Sequence, residues 1–216
     1  MRPLRGSRRP VPASVQGVTR IENVVTSGTF SLDGGTWDVD NNIWLIGDDD
    51  RVLVVDAAHD AAPILEAVAG REVVAIVCTH GHNDHINVVQ DLYDAVRAPV
   101  WLHPADHMLW VELHATVRPD SELADGTRFE VGGTVLQAFH TPGHSPGSTC
   151  LYAPELGALF SGDTLFNGGP GATGRSYSSF DTIMDSIRTR LLTLPDETVV
   201  HTGHGPTTTI GAEKEL

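Results

Sequence analysis

The segment His80-Gly81-His82-Asn83-Asp84-His85 packs four potential metal ligands into six residues, and any fold for this chain has to aim them at one place. Three shorter segments downstream carry the same chemistry: Thr141-Pro142-Gly143-His144-Ser145-Pro146-Gly147-Ser148, Ser161-Gly162-Asp163-Thr164-Leu165-Phe166 and His201-Thr202-Gly203-His204-Gly205-Pro206. Together the four hold six of the chain's eleven histidines. Zinc or iron takes neutral imidazole nitrogen and carboxylate oxygen at about 2.0–2.2 Å, and a closed site uses four such donors. Here there are more donors than one ion can use. His80 and His82, two apart, can turn toward one ion, Asp84 and His85 toward a second, and His144, Asp163 and His204 complete the set. Histidines beside glycines can be no more than turn residues, but four ligands at this density point to metal.

The ordered series Thr79-His80-x-His82-x-Asp84-His85, Pro142-Gly143-His144, Gly162-Asp163-Thr164 and Gly203-His204-Gly205 resembles the metallo-β-lactamase superfamily, and within it the glyoxalase II (hydroxyacylglutathione hydrolase) branch. The resemblance runs from about Asp56 to Pro206. It implies an α/β (α+β) four-layer αββα sandwich, with His80, His82 and His144 on a first metal, Asp84, His85 and His204 on a second, and Asp163 bridging both. It further implies that Asp56 orients the ligand loops by hydrogen bonding, since such carboxylates commonly fix histidine tautomers. Asp163 argues against the zinc β-lactamases, which as a group do not bridge their metals with an aspartate at this point. Two departures stand out. Ile86-Asn87-Val88 occupies a place where the family carries a small pair, and the chain stops ten residues after Pro206, so the C-terminal helical domain of classical glyoxalase II is expected to be missing.

The length of 216 residues and 40% apolar content suit one globular domain, expected over residues 18–216. Met1 to Gly17, with four arginines and no hydrophobic stretch behind them, reads as a flexible basic tail and a poor export signal. A net charge of −14 opposes nucleic-acid binding, which draws on lysine and arginine neutralising phosphates. No apolar run reaches transmembrane length, so no membrane partner is expected. Cys78 and Cys150 sit in apolar strand-like runs with no CxxC, as buried thiols do, which places the chain in the cytoplasm. Thirteen arginines against the single Lys214 suggest a GC-rich coding genome. Nothing in the chain marks its oligomeric state.

Arg51 to Asp56 reads as a short strand ending in a carboxylate, followed by a helix from Asp60 to Gly70. Val73 to Cys78 is a second buried strand, so the histidine-rich segment begins at a strand's C-terminal edge, where loops can aim several side chains at one point. Val100-Trp101-Leu102 is another strand, and Ala105 to Thr116 reads as helix. Phe129–Val131, Thr134–Phe139, Thr149–Tyr152 and Ala158–Ser161 form a meander punctuated by glycine and proline. Phe180, Ile183, Met184, Ile187 and Leu191 recur at helical spacing behind a Ser179 cap, a core-packing stripe.

Other polar residues stay outside the ligand set. His103, His107 and His114 have no matching role, and His140 and His201 end strands. The glycine-rich loop from Asn167 to Tyr177 permits close backbone approach to a ligand. Arg175, with Tyr177, is expected either to meet a substrate carboxylate or amide or to form a structural salt bridge.

Two divalent ions about 3.5–4 Å apart lower the pKa of a bridging water enough to supply hydroxide near neutral pH. The resemblance therefore implies a metal-bridging hydroxide attacking a small-molecule thioester, with Asp84 and Asp163 as catalytic carboxylates. The metals are expected to be zinc, with iron or manganese accepted by the same donors. An S-formyl or S-hydroxyacyl derivative of glutathione, mycothiol or another low-molecular-weight thiol is the first-choice substrate. The alternatives are a persulfide dioxygenase holding one iron on His80, His144 and Asp163, a lactonase, or a metal-binding module without turnover.

Overall fold

The computed structural model describes residues 18–216, so the expected basic tail lies outside the described residues. Two six-stranded sheets stack face to face. The first is built from β1 (Arg20–Leu32), β2 (Gly35–Gly47), β3 (Arg51–Val55), β4 (Glu72–Val77), β5 (Val100–Leu102) and β6 (Ser121–Glu122), in that spatial order. The second contains β7 (Arg128–Val131), β8 (Thr134–His140), β9 (Thr149–Ala153) and β10 (Ala158–Gly162). After a small ribbon of β11 (Leu165–Phe166) and β12 (Gly169–Pro170), it is completed by β13 (Val199–Thr202) and β14 (Thr208–Thr209), giving the order β14-β13-β10-β9-β8-β7.

Helices cover both outer faces. α1 (Ala61–Val68), the single turn α2 (Asn83–Ile86), α3 (Val89–Val96) and α4 (His107–Leu113) belong to the first sheet's side. α5 (Phe180–Ser186), continued by a π-turn over Ile187–Leu191, packs on the second sheet. The expected four-layer αββα sandwich is therefore what the chain adopts.

Alternation along the strands sorts the apolar side chains into three cores, because successive residues of a strand point to opposite faces. Ile43, Leu45, Val52 and Val54 face α1 and α3, while Trp44, Ile46, Leu53 and Val55 face the second sheet. In β9 and β10, Leu151, Ala158 and Phe160 close the layer between the sheets, and Cys150 and Leu159 meet α5. Cys78 and Cys150 are both free and buried.

Local signals account for most boundaries. Asp60 caps α1 by accepting from the Ala62 N–H at 2.9 Å, and Ala69 ends it in a left-handed conformation. Ser179 caps α5, accepting from the Thr182 N–H at 3.3 Å. The apolar stripe of α5 is buried from Ile183 to Leu191, but Phe180, expected with it, opens the helix and is 58% exposed. The helix expected over Ala105–Thr116 is shorter. A 3₁₀ turn at Pro104–Asp106 precedes α4, and the chain leaves the helix at His114.

The spacing gave no notice of the long β1–β2 hairpin. It turns on Asp33 and Gly34, with φ of 53° and 77°, the two-residue geometry that Asp-Gly favours.

The strands bring the chemistry to one end of the sandwich. β3, β4 and β5 run parallel, as do β10 and β13, so the loops leaving β3, β4, β10 and β13 emerge on the same edge. Bonds across the seam lock the sheets there. The Thr149 N–H donates to the Thr79 carbonyl at 2.9 Å, and the Trp44 indole N–H donates to the Thr202 carbonyl at 3.0 Å.

Candidate metal centre

Seven side chains from four loops and the helical turn α2 converge at that edge. His80 and His82 come from the loop after β4, Asp84 and His85 from α2, and His144 from the loop joining β8 to β9. Asp163 follows β10 and His204 follows β13. The ligand atoms fall into overlapping groups: His80, His82 and His144; His80, His85 and Asp163; and Asp84, His85 and His204.

In the first group His82 Nδ1 lies 3.0 Å from His80 Nε2 and 2.9 Å from His144 Nε2. In the other half His85 Nε2 lies 3.2 Å from His204 Nε2, and His204 Nε2 lies 3.3 Å from Asp84 Oδ2. Asp163 reaches both halves. Its Oδ1 is 3.3 Å from His85 Nε2, and its Oδ2 is 3.4 Å from His204 Nε2 and 3.5 Å from His144 Nε2. Donors about 2.0–2.1 Å from one tetrahedral ion sit roughly 3.3 Å apart, which is the spacing of these sets.

The outer nitrogens decide what the inner ones can do. His85 Nδ1 donates to Asp56 Oδ2 at 2.8 Å, His144 Nδ1 to the Ala172 carbonyl at 2.8 Å, and His204 Nδ1 to the Asp40 carbonyl at 2.7 Å. The Thr79 hydroxyl gives its hydrogen to Asp56 Oδ2 at 2.9 Å and so accepts from His80 Nδ1 at 3.1 Å. When neutral, each of these four rings therefore turns a bare lone pair on Nε2 toward the centre. Lone pairs cannot hydrogen-bond to one another, and Asp84 Oδ1 and Asp163 Oδ1 are buried there without a partner. The arrangement needs positive charge at its middle, and divalent cations fit it.

The electrostatics agree. Burial and the neighbouring imidazoles push His80 well down and His82 to about 3, which keeps both rings as neutral donors. Burial opposes charge on His85 and His204 as well. The carboxylates of Asp163 and Asp84 outweigh it, holding His85 well above its ordinary value and His204 at about 10. Burial likewise opposes ionisation of Asp163, but His85 and His204 hold its carboxyl well below the usual range. In the protein alone, protons on His85 and His204 supply the charge that metal would otherwise bring.

Asp56 sits where the resemblance puts it, behind His85, and also accepts the Thr79 backbone N–H at 2.7 Å. Arg175 forms no salt bridge among the described residues. Its guanidinium lies 3.7 Å over the Trp37 ring and 5.6 Å from Phe30, whose ring is 5.1 Å from that of His82. Tyr177 is 51% exposed, beside the same loop.

The other histidines stay out of the centre. His103 stacks on His140 at 4.0 Å, His114 Nε2 donates to the Ile86 carbonyl at 2.8 Å, and His201 packs between Phe160 and Trp44. Where the family carries a small pair, Ile86 and Val88 fill the core beneath α1 and α3, while Asn87 accepts the His59 backbone N–H at 2.6 Å.

Three supporting residues carry no sequence signature of their role. Asp106, fully buried, accepts from the Gly81 N–H at 2.8 Å, the Gly147 N–H at 2.6 Å and the Ser145 hydroxyl at 2.6 Å, tying the His80–His85 loop to the His144 loop. Asn41 donates to Asp84 Oδ2 at 3.2 Å, and His59 lies against Asn41. The one available signal was the Asn41-Asn42 pair entering the buried run Ile43–Ile46.

Residues 36–204 match the profile of the metallo-beta-lactamase superfamily. The chain belongs to that superfamily. It is a metallo-hydrolase of this class, and its histidine and carboxylate cluster occupies the matched region. A hydroxyacylglutathione hydrolase, GloC, of Haemophilus influenzae is 30% identical over 80% of this chain and 89% of its own length. Among solved structures, TTHA1623 in a di-iron-bound form is 32% identical, with a TM-score of 0.73 over 82% of this chain and 96% of that one. BLEG-1, described as a B3 metallo-beta-lactamase, is 29% identical, with a TM-score of 0.72 over 88% and 97%. Members of the superfamily this similar to the chain thus carry different named activities.

Proposed function

We propose that this chain is a thioester hydrolase of glyoxalase II type, acting on an S-acyl derivative of a small thiol. The observation that carries the reading is the doubled donor set: two groups of inward lone pairs with Asp163 between them, its oxygens within 3.5 Å of His144 in one group and of His85 and His204 in the other. His80, His82 and His144 would hold one divalent ion, and Asp84, His85 and His204 the other, with zinc proposed and iron or manganese as alternatives. Such ions, when bound, lower the pKa of coordinated water toward neutrality and polarise a carbonyl oxygen.

The chain's own residues do the rest. Asp84 Oδ1, buried and without a partner, is placed to orient an attacking water and to take its proton. Asp163 stays ionised and holds the two halves of the site in register. The leaving group needs no acid, because a thiol of pKa near 8.5 departs readily as thiolate. Arg175, lying over Trp37 and free of salt bridges among the described residues, would receive a carboxylate or amide of the thiol carrier, with Tyr177 beside it.

No partner beyond this small molecule is proposed, neither nucleic acid nor membrane. Among the described residues no helix is long and apolar enough to cross a bilayer. The free thiols Cys78 and Cys150 support a reducing, cytoplasmic setting.

The test is a panel of thioesters, lactones, persulfides and a β-lactam, assayed alongside metal content. Turnover of thioesters by a protein with about two metals per chain is expected. Oxygen-dependent persulfide turnover with a single iron would replace this reading by the dioxygenase one.

A further inference from the structure

His59 lies outside every metal-ligand group, yet a chain of hydrogen bonds starting from its own backbone fixes which of its ring nitrogens carries the proton. The His59 N–H donates to Asn87 Oδ1 at 2.6 Å, so the other end of that amide, Nδ2, is the donor that faces His59 Nδ1 at 3.1 Å. Nδ1 must then accept, and the proton of the neutral ring sits on Nε2. From Nε2 it is given to Asn41 Oδ1 at 2.7 Å. With its oxygen so engaged, Asn41 has only Nδ2 left for the centre, where it donates to Asp84 Oδ2 at 3.2 Å and lies 3.3 Å from His85 Nε2.

The fold makes specific room for this arrangement. His59 takes a left-handed backbone conformation, φ 60°, which turns the ring back over β1. There Gly28 offers no side chain, and a Cβ added to it would fall 2.2 Å from His59 Nδ1. Asn41 is almost fully buried, so its amide cannot find water instead.

We infer that His59 is a positioning residue for the second metal pocket: clamped by Asn87 and seated on Gly28, it sets the orientation of the Asn41 amide, which in turn holds the Asp84 carboxylate in place. This rests on the two-metal reading above, and its test needs no substrate. Without His59 the buried Asn41 oxygen loses its donor, and the amide that holds Asp84, a ligand of one ion only, is fixed from one end alone. Losses of this kind typically weaken metal binding by about 10–100-fold.

The experiment has two arms on the full chain. Titration with cobalt(II) or zinc(II) should show the second equivalent bound about 10–100-fold more weakly in His59→Ala, with the first equivalent unchanged. The His59→Ala/Asn41→Ala double variant should lose no more than Asn41→Ala alone. Unchanged affinities, equal loss at both sites, or additive losses would overturn the inference. In the second arm, nitrogen-15 NMR of the zinc-loaded wild type should find the His59 ring protonated at Nε2. A ring protonated at Nδ1 overturns the inference whatever the variants do. A wild type that takes up one ion only removes the two-metal reading, and the tautomer still decides the role of His59 toward Asn41.

Discussion

Replacing Asp106 by alanine should damage both the stability of the fold and the first metal pocket, although Asp106 contacts no metal ligand side chain directly. The carboxylate serves three donors in a space from which water is excluded. In the variant, Ser145 can turn to Ser148 Oγ at 2.8 Å, but the Gly81 and Gly147 N–H groups keep no acceptor. Each orphaned buried donor costs about 1–3 kcal/mol. Burial pushes the Asp106 carboxyl upward, so removing the charge recovers part of this, and a net loss of about 3 kcal/mol is expected.

With a urea dependence of about 2 kcal/mol/M, the unfolding midpoint of the metal-free protein should fall by roughly 1.5 M. Asp106→Asn is a sharper probe, because its shape is nearly unchanged. One of its two polar ends becomes a donor aimed at another donor, so most of the loss should remain. Gly81 lies between His80 and His82, and Gly147 lies three residues past His144, so the tie holds the three-histidine group from behind. Affinity for the first ion should drop about 10–100-fold, read by competition with a chromogenic chelator. Wild-type midpoints and wild-type affinity in both variants would refute the reasoning.

Five further outcomes are expected. His204→Ala should lower the metal content from about two ions per chain to about one, and Asp163→Ala should abolish turnover with loss of metal, both read by elemental analysis alongside the thioester assay. Gly203→Ala would set a Cβ 2.2 Å from Asp163 Oδ1 and 2.9 Å from His85 Cε1, so metal content should fall while the far-ultraviolet circular dichroism stays near wild type. Arg175→Ala should raise KM for a carboxylate-bearing thioester by about tenfold with little change in kcat; an unchanged KM removes Arg175 from the site. In the metal-free protein His204 is raised to about 10 from an unfolded value near 6.5. Its contribution to stability is then complete below about pH 6.5 and disappears as pH rises through about 10, and metal uptake at pH 7.5 should release protons measurable in weak buffer.

The candidate ligand side chains were legible in the sequence because the chemistry dictates their identity: only imidazole and carboxylate will serve, and their clustering in glycine-flanked loops has few other causes. The cores were legible for a similar reason. Alternation in Ile43–Ile46 and Val52–Val55 leaves each residue one face to choose, and both faces are buried. The hairpin of β1 and β2 escaped notice because much of β1 is solvated on one side, with Glu22, Asn23, Ser27, Thr29 and Ser31 interrupting any apolar period. Its one clear mark was the Asp33-Gly34 turn.

Asp106, Asn41 and His59 belong to a different class. A buried acceptor that collects two backbone N–H groups looks, in sequence, like any surface aspartate after a Pro-Ala pair. Its role exists only once the loops carrying Gly81 and Gly147 have been brought against it. The glycines are the legible half of that contact: a Cβ on Gly147 would lie 2.7 Å from Asp106 Cγ, and one on Gly81 would lie 3.0 Å from the Asp106 carbonyl. The same holds for Gly28 beneath His59. Glycines at these positions mark where a polar side chain from a distant segment must come close. The partner's identity follows from the unpaired backbone and amide groups around the gap, which require an acceptor at 106 and a ring with one donor and one acceptor at 59.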